Sequence, residues 1–150
     1  MQPISNLTDH TGYWLRVVSN AVSQSFTRKV ADEGVTVAEW VFMRMLYEVG
    51  AVSPSVLAQK MGMTKGAISR LADRLLEKKL IEQTDDPNDR RAHNLSLSKS
   101  GRRKVPVLSK LADENDAEYF DVLNARERDA LSKILKALVE RRRLSNVPVD

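Results

Sequence analysis

Between Ser53 and Leu97 the apolar residues change their spacing, and that change constrains the fold more than any other feature of the chain. Ser53-Pro54 reads as a helix N-cap with proline at the first helical position, where an N–H would be unpaired anyway. The short helix it opens is expected to turn Val56, Leu57 and Met61 inward and to end at Gly62. Thr64 caps a second helix, in which Ile68, Leu71, Ala72 and Leu75 recur at i, i+3, i+4 and i+7 and form one apolar stripe. Its other side carries Lys65, Gly66, Ser69, Arg70, Asp73 and Glu77, with Arg74 at the margin. After Leu80 the period falls to two. Ile81 to Thr84 reads as a short strand, and His93 to Leu97 as a half-buried returning strand. Between them, Asp85-Asp86-Pro87-Asn88-Asp89 is turn chemistry, because Asp and Asn bond back to their own backbone and Pro presets φ. The expected unit is helix, tight turn, helix and a two-stranded hairpin whose loop covers residues 85 to 91.

Helices flank this unit on both sides. Trp14, Val17, Val18, Ala21, Val22 and Phe26 recur at helical spacing from about Thr11 to Val30, and Asp32-Glu33-Gly34 ends that run. A second helix follows from Thr36 or Val37 to Gly50, with Trp40, Met43, Leu46 and Tyr47 on one side. Ser98 caps a helix running to about Tyr119, expected to bend at Pro106, which cannot donate an i→i−4 bond. A last helix spans about Ala125 to Arg143, with Leu131, Ile134, Leu135 and Leu138 as its stripe. The fold class is therefore mainly α with a small β-hairpin wing, in a single domain over residues 1–150. Residues 36–98 form the winged helix-turn-helix part, flanked by helical segments over 4–32 and 99–145.

Composition narrows the chemistry. The chain has no cysteine, which excludes a disulfide framework, a Cys-type zinc site and a thiol nucleophile or sensor. His10 and His93 lie far apart without helical pairing, so no metal site or cofactor is expected. No Gly-rich phosphate loop, Ser/His/Asp arrangement or convergent carboxylate pair is recognisable, and an enzyme is not expected. The opening MQPISNLTDH has no basic region leading into an apolar run, and no stretch is apolar enough to span a membrane. A cytoplasmic protein is the expectation. The net charge of +4 is unevenly spread. From Ser53 to Lys110 basic residues are roughly twice as numerous as acidic ones, and the flanks sum to the opposite sign, a distribution that suits an anionic partner docked on the middle.

A winged helix-turn-helix suits duplex DNA. The second helix fits the major groove, where residues of its first turns reach base edges. The hairpin lies alongside, and its tip reaches the minor groove, whose narrowness concentrates negative potential and favours arginine. Arg90 and Arg91 supply that charge. Asp89 stands two residues before Arg91, where a carboxylate can hold an arginine or a neighbouring helix residue in place. Pro87 and the Asp/Asn run stiffen the turn, so less freedom is lost on docking.

The run from VAEWVFMRMLYEVG through SPSVLAQKMGMTKGAISRLADRLLEKKLIEQTDDPNDRRAHNLSLSKSG resembles the MarR family of transcription regulators. LAQKMGMTKGAISRLADRLLEKKLI is similar to that family's two DNA-site helices, and DPNDRR with LSLSKSG to its wing and the helix start after it. YWLRVVSNAV and ARERDALSKILKAL are similar to its N- and C-terminal dimerisation helices. The resemblance implies that Thr64, Lys65, Ser69 and Arg70, with Gly66 among them, meet bases or nearby phosphates. It further implies that Ser53 and Arg74 meet the backbone and that Arg91 enters the minor groove with Asp89 as its partner. Two positions depart from the pattern. Lys79 stands where the family commonly has glycine, which bears on wing angle, and Gln83 stands where arginine is common, which removes one phosphate contact.

What the resemblance implies in function is a sequence-specific double-stranded DNA-binding transcriptional regulator, most often a repressor, acting as a homodimer on a pseudo-palindromic operator. A two-fold dimer presents two recognition helices about one helical turn apart. The family's effectors are often small phenolic or other anionic aromatic molecules. His10, Tyr13, Trp14, Arg16, Trp40 and Arg44 are the residues that could supply aromatic walls and a cation, although Trp40 reads more readily as core. The alternative is a winged-helix protein-interaction module without specific DNA binding.

Overall fold

A computed structural model describes residues 2–145 and 147–149, without the side chain of Arg90. After a 3-10 turn at Leu7–Asp9 come α1 (Thr11–Ala31), α2 (Val37–Val49), β1 (Ala51–Val52), α3 (Pro54–Met61) and α4 (Lys65–Glu77). Then follow β2 (Ile81–Asp86), β3 (Asp89–Leu97), α5 (Lys99–Phe120) and α6 (Ala125–Arg142).

The helix ends lie where the capping residues set them. Thr36 Oγ1 accepts the Glu39 amide at 3.1 Å while Glu39 Oε1 accepts the Thr36 amide at 2.8 Å, a reciprocal capping box. Ser53 accepts from Val56, Thr64 from Ala67 and Ser98 from Gly101. A second box, Asn124 with Glu127, opens α6. Gly62 closes α3 at φ 63°, a left-handed conformation that glycine adopts without a Cβ penalty.

The core lies where α2, α3, α4 and α5 meet the sheet. Phe42, Met43, Leu46, Leu57, Ile68, Leu75 and Leu108 are completely buried, each stabilising the fold by about 1.5–3 kcal/mol relative to exposure. All four residues of the α4 stripe face inward as expected. Two expectations fail on neighbouring helices. In α3 the inward residues are Leu57, Ala58 and Met61, while Val56 is exposed; in α2 Phe42 is buried and Tyr47 is not. Both helices are short or covered on two sides, so the apolar pattern alone leaves their orientation ambiguous by one residue.

The sheet is antiparallel with order β1-β3-β2. β1 was not expected, since two residues show no alternation. It pairs Ala51 with Ser96 and Val52 with Leu95. The hairpin loop is also shorter than expected. Asp85, Asp86, Asp89 and Arg91 belong to the strands, and a register irregularity at Asp85/Asp86 precedes the turn at Pro87-Asn88. Pro106 lies inside α5 without ending it.

α1 is fastened to α5 by polar contacts. Lys29 Nζ donates to Ser25 Oγ at 2.8 Å, to Asn115 Oδ1 at 2.9 Å and to Glu118, while Asn115 Nδ2 donates to the Val22 carbonyl. Beyond this junction the terminal helices bury little of themselves. No residue of α6 is buried, and in α1 only Ser25 and Val30 are. Trp14 and Ile134 are more than half exposed, and Leu138 nearly so.

Candidate nucleic-acid interface

α4 separates its two faces cleanly. With Ile68, Leu71, Ala72 and Leu75 packed inward, Lys65, Gly66, Ser69, Arg70 and Arg74 stand exposed on the other side. Thr64 and Ser53 sit at the N-termini of α4 and α3, each with its hydroxyl oxygen engaged as a cap. The two helix starts leave first-turn N–H groups without an intrahelical partner, an arrangement suited to phosphate oxygens. Gly66 has open space around a hypothetical Cβ, so nothing within the chain requires glycine there.

The wing tip is held by its acids. Asp86 Oδ1 accepts the Asn88 amide at 2.8 Å, and Asp89 Oδ1 accepts the Arg91 amide at 3.0 Å. His93 Nδ1 lies 3.5 Å from Asp85 Oδ1 on the facing strand. Arg91 is exposed two residues into β3. The side chain of Arg90 lies outside the described residues.

Two residues stand at the base of the wing, of which sequence reasoning singled out Lys79 and missed Gly101. Lys79 has φ 59°, the left-handed region, which is why glycine suits this position. Its carbonyl accepts from Ser98 Oγ at 2.7 Å and Ser100 Oγ at 3.0 Å, tying the end of α4 to the start of α5. Gly101 is the second. A Cβ there would lie 1.9 Å from the Leu80 carbonyl oxygen, so α5 can approach the wing base only with glycine at that position.

The six residues expected around an effector do not converge within one chain. Trp40, half-buried, packs against the core and lines a cavity of about 280 Å³ with Val22, Phe26, Val41 and Asn115. None of the other five lines it. The ionisable side chain in that lining is Asp116, an acid, and Pro148 of the C-terminal segment forms part of the wall. His10, Tyr13, Trp14 and Arg16 are exposed at the start of α1. Tyr13 and Trp14 meet edge to face at 5.1 Å, and Trp14 Nε1 donates to the Thr8 carbonyl. Arg44 pairs with Glu48 at 3.3 Å and lies over the Tyr47 ring, which Arg102 also covers. Among the described residues, no cluster of His, Asp and Glu could hold a metal ion, and no helix is long and apolar enough to cross a membrane.

The sequence model of the MarR family matches residues 33–92, from the turn before α2 into β3. That segment is similar to the MarR family. The chain is also similar to the HTH-type transcriptional repressor NicR of Pseudomonas putida, 24% identical over 90% of this chain and 85% of NicR. The same fold occurs in a mutant of Escherichia coli MarR complexed with operator DNA, with TM-score 0.75 and 22% identity over 85% of this chain and 92% of that one. It occurs again in Bordetella bronchiseptica BpsR, whose DNA binding is regulated by 6-hydroxynicotinic acid, with TM-score 0.77 and 24% identity over 91% and 97% of the two chains.

Proposed function

We propose that this chain is a sequence-specific double-stranded DNA-binding transcriptional regulator of repressor type, acting as a homodimer on a pseudo-palindromic operator. The observation that carries the reading is the outer face of α4, where Lys65, Ser69 and Arg70 stand exposed beside an arginine-bearing wing braced through its own backbone. Such a helix enters the major groove, and Arg91 enters the adjacent minor groove. Lys65, Arg74 and the caps of α3 and α4 contact phosphates and set the register.

The uncovered apolar residues of α1 and α6 support the homodimer. A single winged helix buries little, whereas specific complexes bury about 1,000 Å² or more of protein. Two copies joined through these helices double the contact and fix the spacing of the recognition helices.

The effector in this reading is a small anionic aromatic molecule, as 6-hydroxynicotinic acid is for BpsR. Trp40 and Phe26 offer flat apolar walls for its ring. Asp116 supplies no counter-charge, and His10 and Arg16 do not line the cavity within one chain, so a carboxylate would be met by His10 or Arg16 of the second copy.

Selection of bound sequences from random duplexes by the purified protein tests the reading, together with sedimentation of the free protein. The expected result is a dimer that enriches an inverted repeat, with log K falling against log salt by about 0.9 per phosphate contact. A monomer that enriches nothing at low salt would leave a protein-interaction module as the better account.

A further inference from the structure

The first turn of α2 carries two different environments. Val37, Trp40 and Val41 border the cavity. Glu39 lies on the opposite side of the helix, as 100° per residue requires, and is completely buried. Its Oε1 accepts the Thr36 amide at 2.8 Å and the Lys78 ammonium at 2.9 Å, while Oε2 is buried with no hydrogen-bond partner among the described residues. Lys78 is the C-cap residue of α4, and its Nζ also donates to the Gly34 carbonyl at 2.9 Å. One ammonium thus joins the α1–α2 turn, the first turn of α2 and the end of the candidate recognition helix.

Stability explains this arrangement poorly. A capping box needs a carboxylate near the helix start but not a buried one. Burying a carboxylate with one oxygen unpaired carries a desolvation cost that its ion pair offsets only in part, and apolar replacements of buried pairs are often neutral or stabilising. What the ion pair adds is direction. It gives α4 a fixed attachment to the joint where α1 passes into the winged helix.

We infer that Lys78 and Glu39 are positioning residues for DNA recognition, their ion pair setting the angle of α4 against the α1–α2 joint and with it the half-site spacing that the dimer prefers. The inference rests on the reading of α4 as a recognition helix. In a two-fold dimer a small rotation of α4 about this attachment moves both recognition helices, so spacing preference is the property most exposed to its loss. Because the cavity borders the same turn of α2, a displacement there reaches α4 through the same pair.

The test compares wild type, Lys78→Met, Lys78→Arg, Glu39→Gln and the Lys78→Met/Glu39→Gln double variant. Each is titrated against duplexes whose half-sites are moved one base pair at a time about the selected spacing, at several salt concentrations, with folding monitored by thermal melting. We expect Lys78→Met to melt at a lower temperature yet stay folded, to bind the preferred spacing about tenfold more weakly and to discriminate less between neighbouring spacings. Its salt slope should match that of wild type. Lys78→Arg should restore the spacing preference in part. The double variant should be no worse than the more affected single, since both remove one interaction.

A Lys78→Met protein with wild-type spacing preference would overturn the inference, as would a salt slope lowered by about one contact with unchanged preference, the mark of a lost phosphate contact. If wild type itself shows no sequence-preferring duplex binding, the underlying reading of α4 falls and this inference with it. That result differs from one in which wild type binds specifically and the variants do not change its spacing.

Discussion

Asp89 accepts the backbone amide of Arg91 through Oδ1 at 3.0 Å. The acid beside the arginine therefore holds the main chain of the wing tip and leaves the guanidinium exposed. This resolves the apparent conflict of carboxylates placed at a surface meant for a polyanion: two of them, Asp86 and Asp89, are bonded to amides of the turn. Asp89→Ala should loosen the tip and weaken duplex binding by about 0.5–1.5 kcal/mol, the net contribution of one such bond. Asp89→Asn keeps the acceptor and should bind close to wild type. If the asparagine variant is as weak as the alanine one, the carboxylate's charge and not its bond to the backbone is what counts.

Arg91 and Arg70 should fail in different ways. Arg91→Ala should weaken binding across all duplexes and reduce the salt slope by about 0.9. Arg70→Ala should relax sequence preference as well, with about 1–3 kcal/mol of discrimination lost at the base it reads. Titrations on matched and mismatched sites separate the two; identical profiles would refute the division of roles.

Lys79 is strained at φ 59°. Lys79→Gly relieves the left-handed penalty and should raise stability by about 1 kcal/mol. For a chain of this size that corresponds to about 2–4 °C in Tm. A lowered Tm would show that the lysine side chain contributes more than its backbone costs.

Gly101→Ala should do the reverse. The new methyl would meet the Leu80 carbonyl oxygen, a backbone atom that cannot move without shifting the wing base. A loss of about 1–3 kcal/mol is expected, typical of overpacking. Thermal or denaturant unfolding measures it, and an unchanged midpoint would mean that α5 moves away at no cost.

Gly66 offers the opposite case on the candidate contact face. A Cβ there meets nothing, so Gly66→Ala should stabilise α4 by about 0.5–1 kcal/mol. Duplex binding should nonetheless weaken, because the methyl intrudes where the groove comes closest. Stability and affinity moving together would remove Gly66 from the interface.

The chain itself determined the helix starts and the apolar face of α4, features set by neighbours within a few residues. Ser53, Thr64 and Ser98 are caps where the pattern placed them, and the α4 stripe from Ile68 to Leu75 faces the core. Period, cap and turn chemistry act over one or two helical turns, so they are legible without a fold. Ambiguity began where a helix is covered from more than one direction, as with Val56 and Tyr47, and where a strand is too short to alternate, as with β1.

Tertiary packing alone decided the rest. Lys78 meets Glu39 across thirty-nine positions of chain, Gly101 is required by the Leu80 carbonyl, and Trp40 borders a cavity together with residues of α1 and α5. Such encounters depend on how whole elements settle against one another to fill space, a collective outcome of burial that no local spacing encodes.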